Sequence, residues 1–238
     1  MRRPSARCFL FPLLIVVSLI APNAVHAQTV SLDEGTFRLL KGGDEVGTER
    51  FTIRQSGSGG EMGLIAQGTV VIDTTGTPEE TRSTLRVEGP ALRPAAYDVT
   101  QRGTDTQRIA GRVVGSRFSA RILSSTGEQM REYLASNGAV LVDEGVAHHH
   151  FFLARRADGG STRMPVIIPR QNRQVSAQVA EHGRETIRIG GRSIDARRLT
   201  VTPAGAPERH VWVDDQSRVL RLTIPDQRFE AVRTTVPR

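Results

Sequence analysis

The sequence predicts a mainly β protein: a curved antiparallel sheet forming an open half-barrel, with one covering helix near 146–156. Three observations lead there. Apolar and polar residues alternate with period two along most of the chain; in 82–88, Leu85 and Val87 face one way and Thr84, Arg86 and Glu88 the other. Turn signals rich in glycine, proline, aspartate and serine recur at roughly eight-to-twelve-residue spacing, as in sandwiches and barrels. The alternation fails in one place, 140–156, which reads V-L-V-D-E-G-V-A-H-H-H-F-F-L-A-R-R. There a short apolar run, Val140 to Val142, breaks at Asp143-Glu144-Gly145, and residues 146–157 contain no glycine or proline. One helix lying against the sheet accounts for that stretch.

The elements follow in order. Alternating runs at 34–41 and 48–55 flank a Gly/Asp-rich turn at 42–47, the signature of a hairpin. A third strand covers 64–74, with Val70, Val71 and Ile72 at its β-branched centre. Pro90 and Pro94 bracket a corner at 89–94, because proline has no amide hydrogen for a ladder. Tyr97 and Val99 start the next strand. Runs at 108–114 and 117–124 form a hairpin around Gly115-Ser116, and 131–136 and 139–142 lead into the helix. Asp143 and Glu144 read as a helix-start signal, carboxylates that accept free amide hydrogens and oppose the positive dipole end. Ala157-Asp158-Gly159-Gly160 closes the helix, glycine taking the left-handed conformation. Strands then follow at 164–168, ended by Pro169, and at 174–182. A turn at Gly183 leads to Ile187 and Ile189. The last strands are 193–202, 209–213, 219–224 and 229–234. About a dozen strands result, with no long repeat and no linker.

Residues 1–27 read as a secretory leader outside the fold. Arg2, Arg3 and Arg7 precede a mostly apolar run over 9–20, and a short segment ends at the small residue Ala27. That run is short for the ~30 Å hydrocarbon core of a bilayer. The sequence predicts cleavage after Ala27 and a single antiparallel β domain over 28–238, with no stable membrane span after cleavage; an uncleaved anchor is the rival reading. The address is the periplasm or cell envelope, where the cell has an outer membrane. Cys8, the lone cysteine, lies ahead of the apolar run, where a lipid-attachment cysteine would not sit. The remaining chain has no disulfide to lean on and must hold by burial. The formal charge is +7, three units of which the leader supplies, leaving +4. Nucleic-acid binding wants basic clusters interleaved with aromatics. Here aromatics are 5% and most arginines sit singly on outward strand positions.

Four motifs, in this order along the chain, carry a resemblance: G-G-D-E-V-G-T-E-R-F at 42–51, L-R-P-A-A-Y at 92–97, L-V-D-E-G-V-A-H-H-H-F-F-L at 141–153 and R-H-V-W-V-D at 209–214. Together they resemble uncharacterised exported bacterial proteins related to the lipoprotein-carrier (LolA/LolB-like) half-barrels. The resemblance implies a strongly curved sheet, not fully closed, with helical cover over an apolar concave face. The carriers proper hold acyl chains there; this chain has fewer helices than they do.

No catalytic signature rises above background. There is no G-x-S-x-G elbow, no phosphate loop and no cysteine nucleophile, and nothing singles out a carboxylate pair. The expectation is a non-enzymatic protein with no cofactor. His148, His149 and His150 splay about 100° apart on a helix and cannot share one metal ion. On a strand, His148 and His150 would share a face that Asp143, His182 or His210 could complete. The plainer reading is ring edges bonded to backbone at a helix–sheet interface, so no metal site is assigned. Val146, Phe151, Phe152, Leu153 and the lone tryptophan Trp212 are the candidates for a ligand groove or lid. Two readings remain: a groove for a lipid or other hydrophobic small molecule, or an envelope structural or interaction module whose core is filled by its own side chains.

Overall fold

Fifteen strands join into one continuous sheet in the computed structural model, which describes residues 30–57, 62–74, 76–135, 138–157 and 159–238. The leader and its cut after Ala27 lie outside the described residues. The strands are β1 (Val30–Lys41), β2 (Asp44–Ser56), β3 (Gly63–Ile72), β4 (Glu79–Glu88), β5 (Arg93–Arg102), β6 (Gln107–Val114), β7 (Arg117–Ser124), β8 (Gly127–Leu134), β9 (Val140–Leu141), β10 (Ser161–Ile168), β11 (Arg173–Ile189), β12 (Arg192–Pro203), β13 (Arg209–Val213), β14 (Val219–Ile224) and β15 (Phe229–Arg233). Between β9 and β10 stand a 3-10 turn, Ala147–His149, and one helix, α1 (His150–Arg156).

The order across the sheet is β8 to β1, then β15 to β9. The chain therefore starts mid-sheet, walks out to one edge and crosses through the helical segment to the other edge. It then walks back until β15 pairs with β1, from Phe37↔Arg233 to Lys41↔Phe229. The described pairings are antiparallel except that between β9 and β10. Inward-pointing residues of both halves build the main core, among them Phe37, Ile53, Leu85, Tyr97, Ile109, Phe118, Val179 and Leu199.

Two sequence expectations change. Gly183 does not end a strand. It sits at φ +91° inside β11, where the register with β12 slips between Glu181 and Arg184. This is a β-bulge, which a glycine at positive φ accommodates. One extra residue flips the faces: Ala177 and Val179 enter the main core, while Ile187 and Ile189 join Trp212 and Leu220 in a second cluster. The other change is β8, which starts at Gly127 rather than 131. Its residues are exposed except Tyr133, so no face imposes an alternating pattern.

The sheet stays open between its two edges, but one end of the gap is clasped. The Gln174 carboxamide on β11 donates to Leu134 O (2.7 Å) and accepts from Leu134 N (3.0 Å), standing in for a neighbouring strand. Tyr133 donates its hydroxyl to Asn172 Oδ1 at 3.0 Å beside it. Replacing Gln174 with Leu should cost about 1 kcal/mol, the scale of part-exposed hydrogen bonds. Amide exchange at Leu134 should quicken while β2 and β3 keep their rates; an unchanged Leu134 rate would show that the seam is held elsewhere.

Candidate functional site

The helical segment is a plug. Val146, Phe151, Phe152 and Leu153 are each no more than 2% exposed, and His148, His149 and His150 no more than 3%. A helical segment buried from Val146 to Ala154 must satisfy its free amides inside the protein. Asp143 and Glu144, expected to do this, do not: neither helical turn has a side-chain cap of its own. The acceptor comes from β2. Glu49, fully buried, takes hydrogen bonds from Ala147 N (2.7 Å), His148 N (3.0 Å) and His148 Nδ1 (2.5 Å). At the other end the cap position is Ala157, at φ −79° and ψ 86°, rather than a left-handed glycine; Gly159, at φ +54°, precedes β10.

Aromatic contacts extend the anchor. The His148 ring stacks on Phe51 at 5.3 Å, and Phe51 on Phe37 at 5.2 Å. The Arg233 guanidinium covers Phe51 at 5.1 Å and pairs with Asp33 at 2.5 Å, both residues nearly inaccessible. Gly68 makes room, since a Cβ there would collide with His148 Cε1. Burial raises the Asp33 pKa in spite of Arg233.

Asp143 has a different task from capping. It accepts from Tyr97 (2.6 Å), from Arg170 Nε (2.8 Å) and N (3.2 Å), and from Glu144 N (3.1 Å). It thereby ties β5, the loop before the plug and the segment after β10. Burial and the Asp143 charge push the Tyr97 hydroxyl pKa well up. His149 Nδ1 accepts from Asp143 N (3.1 Å), so its hydrogen sits on Nε2. His150 Nδ1 donates to Ala147 O at 3.1 Å. The backbone-bonding role expected for the histidines holds for His149 and His150, though in the core rather than at a rim. Among the described residues no group of three or more His, Cys, Asp and Glu side chains is placed to hold a metal ion.

Four of the five groove candidates gather in the main core. Trp212 does not join them. It lies in the second cluster on the opposite face, its indole bonded to Glu185 and flanked by Arg221 (5.0 Å) and Arg198 (5.9 Å). Five clefts of about 320 to 640 Å³ line the outside and the rims, and none has a lining residue from the plug. The buried carboxylates and imidazoles bond to the plug, its entry loop and the strands around them. Sequence reasoning missed Glu49, Asp33, Tyr97, Arg170 and Arg233. The available signal was parity: Glu49 shares the inward register of Phe51 and Ile53.

Truncating Glu49 to Ala should cost about 3–5 kcal/mol, because it leaves two buried amides and an imidazole N–H without their acceptor, each at about 1–3 kcal/mol before relaxation. Glu49→Gln keeps one acceptor oxygen and should lose less. Urea unfolding checks both, and equal losses would deny the carboxylate its capping role. Acid should also loosen the plug. Burial, aided by Arg209, holds the His150 pKa at about 3; burial, then the adjoining His148 and His150 rings and Arg170, hold His149 well below its ordinary value. The unfolded chain titrates near pH 6.5 and so binds more protons over that window. Stability is full above about pH 6.5 and falls toward pH 3, by up to about 1.4 kcal/mol per pH unit for each imidazole. Asp33 acts oppositely, its contribution fading as pH rises through its raised pKa, but it is one carboxyl against two imidazoles. Urea midpoints at pH 7, 6 and 5 should fall, and His150→Phe should roughly halve the slope; a flat profile would mean hydrated rings.

No family model matches this sequence, and no curated protein matches it either. Two solved structures are similar. One is the β-barrel-like protein of the domain of unknown function DUF1849 from Brucella abortus, at TM-score 0.53 and 10% identity, covering 84% of this chain and 94% of that one. The other is a DUF1089 family protein from Pseudomonas aeruginosa, at TM-score 0.42 and 15% identity, covering 72% of this chain and 87% of that one. The first likeness speaks for the fold: this chain has a β-barrel-like architecture of the kind seen in an uncharacterised protein family.

Proposed function

We propose that this protein is a non-enzymatic, exported β half-barrel that serves as a structural or interaction module of the cell envelope, its hollow filled by its own helix. The observation that carries this reading is the Glu49 anchor. Three hydrogen bonds from the start of the plug converge on one buried carboxylate. Lifting the helix would leave that carboxylate uncompensated in an apolar interior, which is strongly unfavourable. A fixed plug therefore fits better than a mobile lid. Export is supported by the leader pattern over residues 1–27. The motif likeness to the lipoprotein carriers supports a shared half-barrel architecture.

A second reading keeps a lipid or other hydrophobic small molecule as ligand. Val146, Phe151, Phe152 and Leu153 favour it, because the same apolar surfaces would line a groove if the plug moved. One measurement separates the two. Protein purified from cells that export it, examined by native mass spectrometry and by solvent extraction, should show the bare chain beginning at Gln28 and no lipid. A stoichiometric lipid that survives purification would overturn the filled-module reading in favour of the groove.

A further inference from the structure

The outer face of the first half of the sheet carries arginines in register. Cross-strand pairing runs Arg50–Thr69–Arg82–Thr100–Arg108 along one row. Four residues along each strand, or in the matching direction on its neighbour, a second row runs Arg54–Ile65–Arg86–Ala96–Arg112. The six arginines sit on β2, β4 and β6, and all six are exposed. Strand spacing and rise put neighbours within a row ~9–10 Å apart and the two rows ~13 Å apart. Among the described residues one of the six forms an ion pair, Arg82 with Glu80. Between the rows lie Thr52, Gln67, Thr84 and Asp98. A trough of about 640 Å³ crosses this face, and Arg50, Arg82, Thr36, Thr52, Thr69 and Gln67 are among its lining. Glu34 at its border and Asp98 lessen the positive charge without cancelling it.

Like charges held on one sheet face repel, so such an array is a cost unless an anion covers it. Guanidinium groups suit oxyanions because each offers a planar pair of donors. We propose that this face, with the trough and the arginines around it, binds an anionic polysaccharide lying across the strands. The two arginine rows hold its charged groups, and the threonine hydroxyls and Gln67 meet its hydroxyls. The inference rests on the reading that the outer surface, not the interior, is where the protein works. A membrane surface fits less well. The large exposed apolar residues Val30, Val114, Leu123, Met130 and Leu134 lie outside the two rows and the trough, leaving little there to enter hydrocarbon. A single-stranded nucleic acid fits less well too, because no aromatic side chain faces outward between the rows to stack a base.

The test titrates the whole chain with polygalacturonate, with neutral dextran of matched length and with phosphatidylglycerol vesicles. Saturable binding to polygalacturonate is expected, weakening as salt rises, with none to dextran. The triple variant Arg50→Gln, Arg82→Gln, Arg108→Gln should lose about tenfold or more in affinity, because it empties one row. Arg163, Arg188 and Arg192 are exposed on β10, β11 and β12. Replacing those three with Gln removes the same charge elsewhere and should change affinity by less than about twofold. Equal losses in the two variants would reduce the effect to net charge and overturn the proposal, as would no binding to polygalacturonate. Tighter binding to the vesicles than to the polymer would also overturn it. A lipid found inside the purified protein would strike at the filled-module reading alone, since these titrations do not measure the interior.

Discussion

One buried carboxylate decides how this molecule is put together. Glu49 stands in the middle of β2, facing a core of Phe37, Phe51 and Ile53. Alone in that place it would be severely destabilising. It is tolerated because the helical segment delivers two backbone amides and an imidazole to it. The dependence is mutual, since the amides at the start of Ala147–His149 have no acceptor in their own loop. Neither the strand nor the plug satisfies its polar groups without the other. The sheet thus curves around the helix, and the helix has one depth and one orientation in the hollow.

The remaining buried polar groups extend this constraint outward. Asp143 fixes the loop that enters the plug by collecting Tyr97 and Arg170. Arg233 and Asp33 sit at the β1–β15 junction, where the two halves of the chain meet, and the guanidinium lies over the Phe37–Phe51 stack on which His148 also rests. Such pairs add little net stability over apolar substitutes, but they penalise any packing that separates them. Their arrangement here penalises three kinds of slip: of the plug, of its entry loop and of the central strand pairing.

Much of the architecture was legible in the sequence, and the reasons are specific. Period-two alternation marks strands wherever one face is buried, which is why β2, β4, β7 and β12 stand out. The break at 140–156 marks the helix, because there the apolar residues are consecutive rather than alternate. The start of β8 was hidden because an edge strand exposed on both faces has no pattern to show. The bulge at Gly183 was hidden because a glycine between alternating runs reads equally as a turn. The polar anchors were hidden for a deeper reason. Glu49 and Asp33 look like ordinary strand carboxylates, and their partners are about a hundred and two hundred positions away. Parity could flag them as inward, but only the fold could say what they meet.

The bulge also explains why the two halves of the sheet present such different exteriors. By inserting one residue into β11, it turns Ile187 and Ile189 outward, where Trp212, Leu220 and Val232 make a second apolar layer with Val236 of the C-terminal segment. That layer gives the second half of the sheet two packed faces. Among the described residues the first half gets no such cover. Most of its outward positions from β2 to β6 are polar, with Ile65 and Ala96 among the exceptions, and six of its arginines stand on alternate strands in shared rows. The filled module proposed above would meet a partner through its outside. Of that outside, the second half has spent part on its own packing. Among the described residues, the arginine-bearing face of the first half is a part of that outside without such packing, and guanidinium groups suit oxyanions.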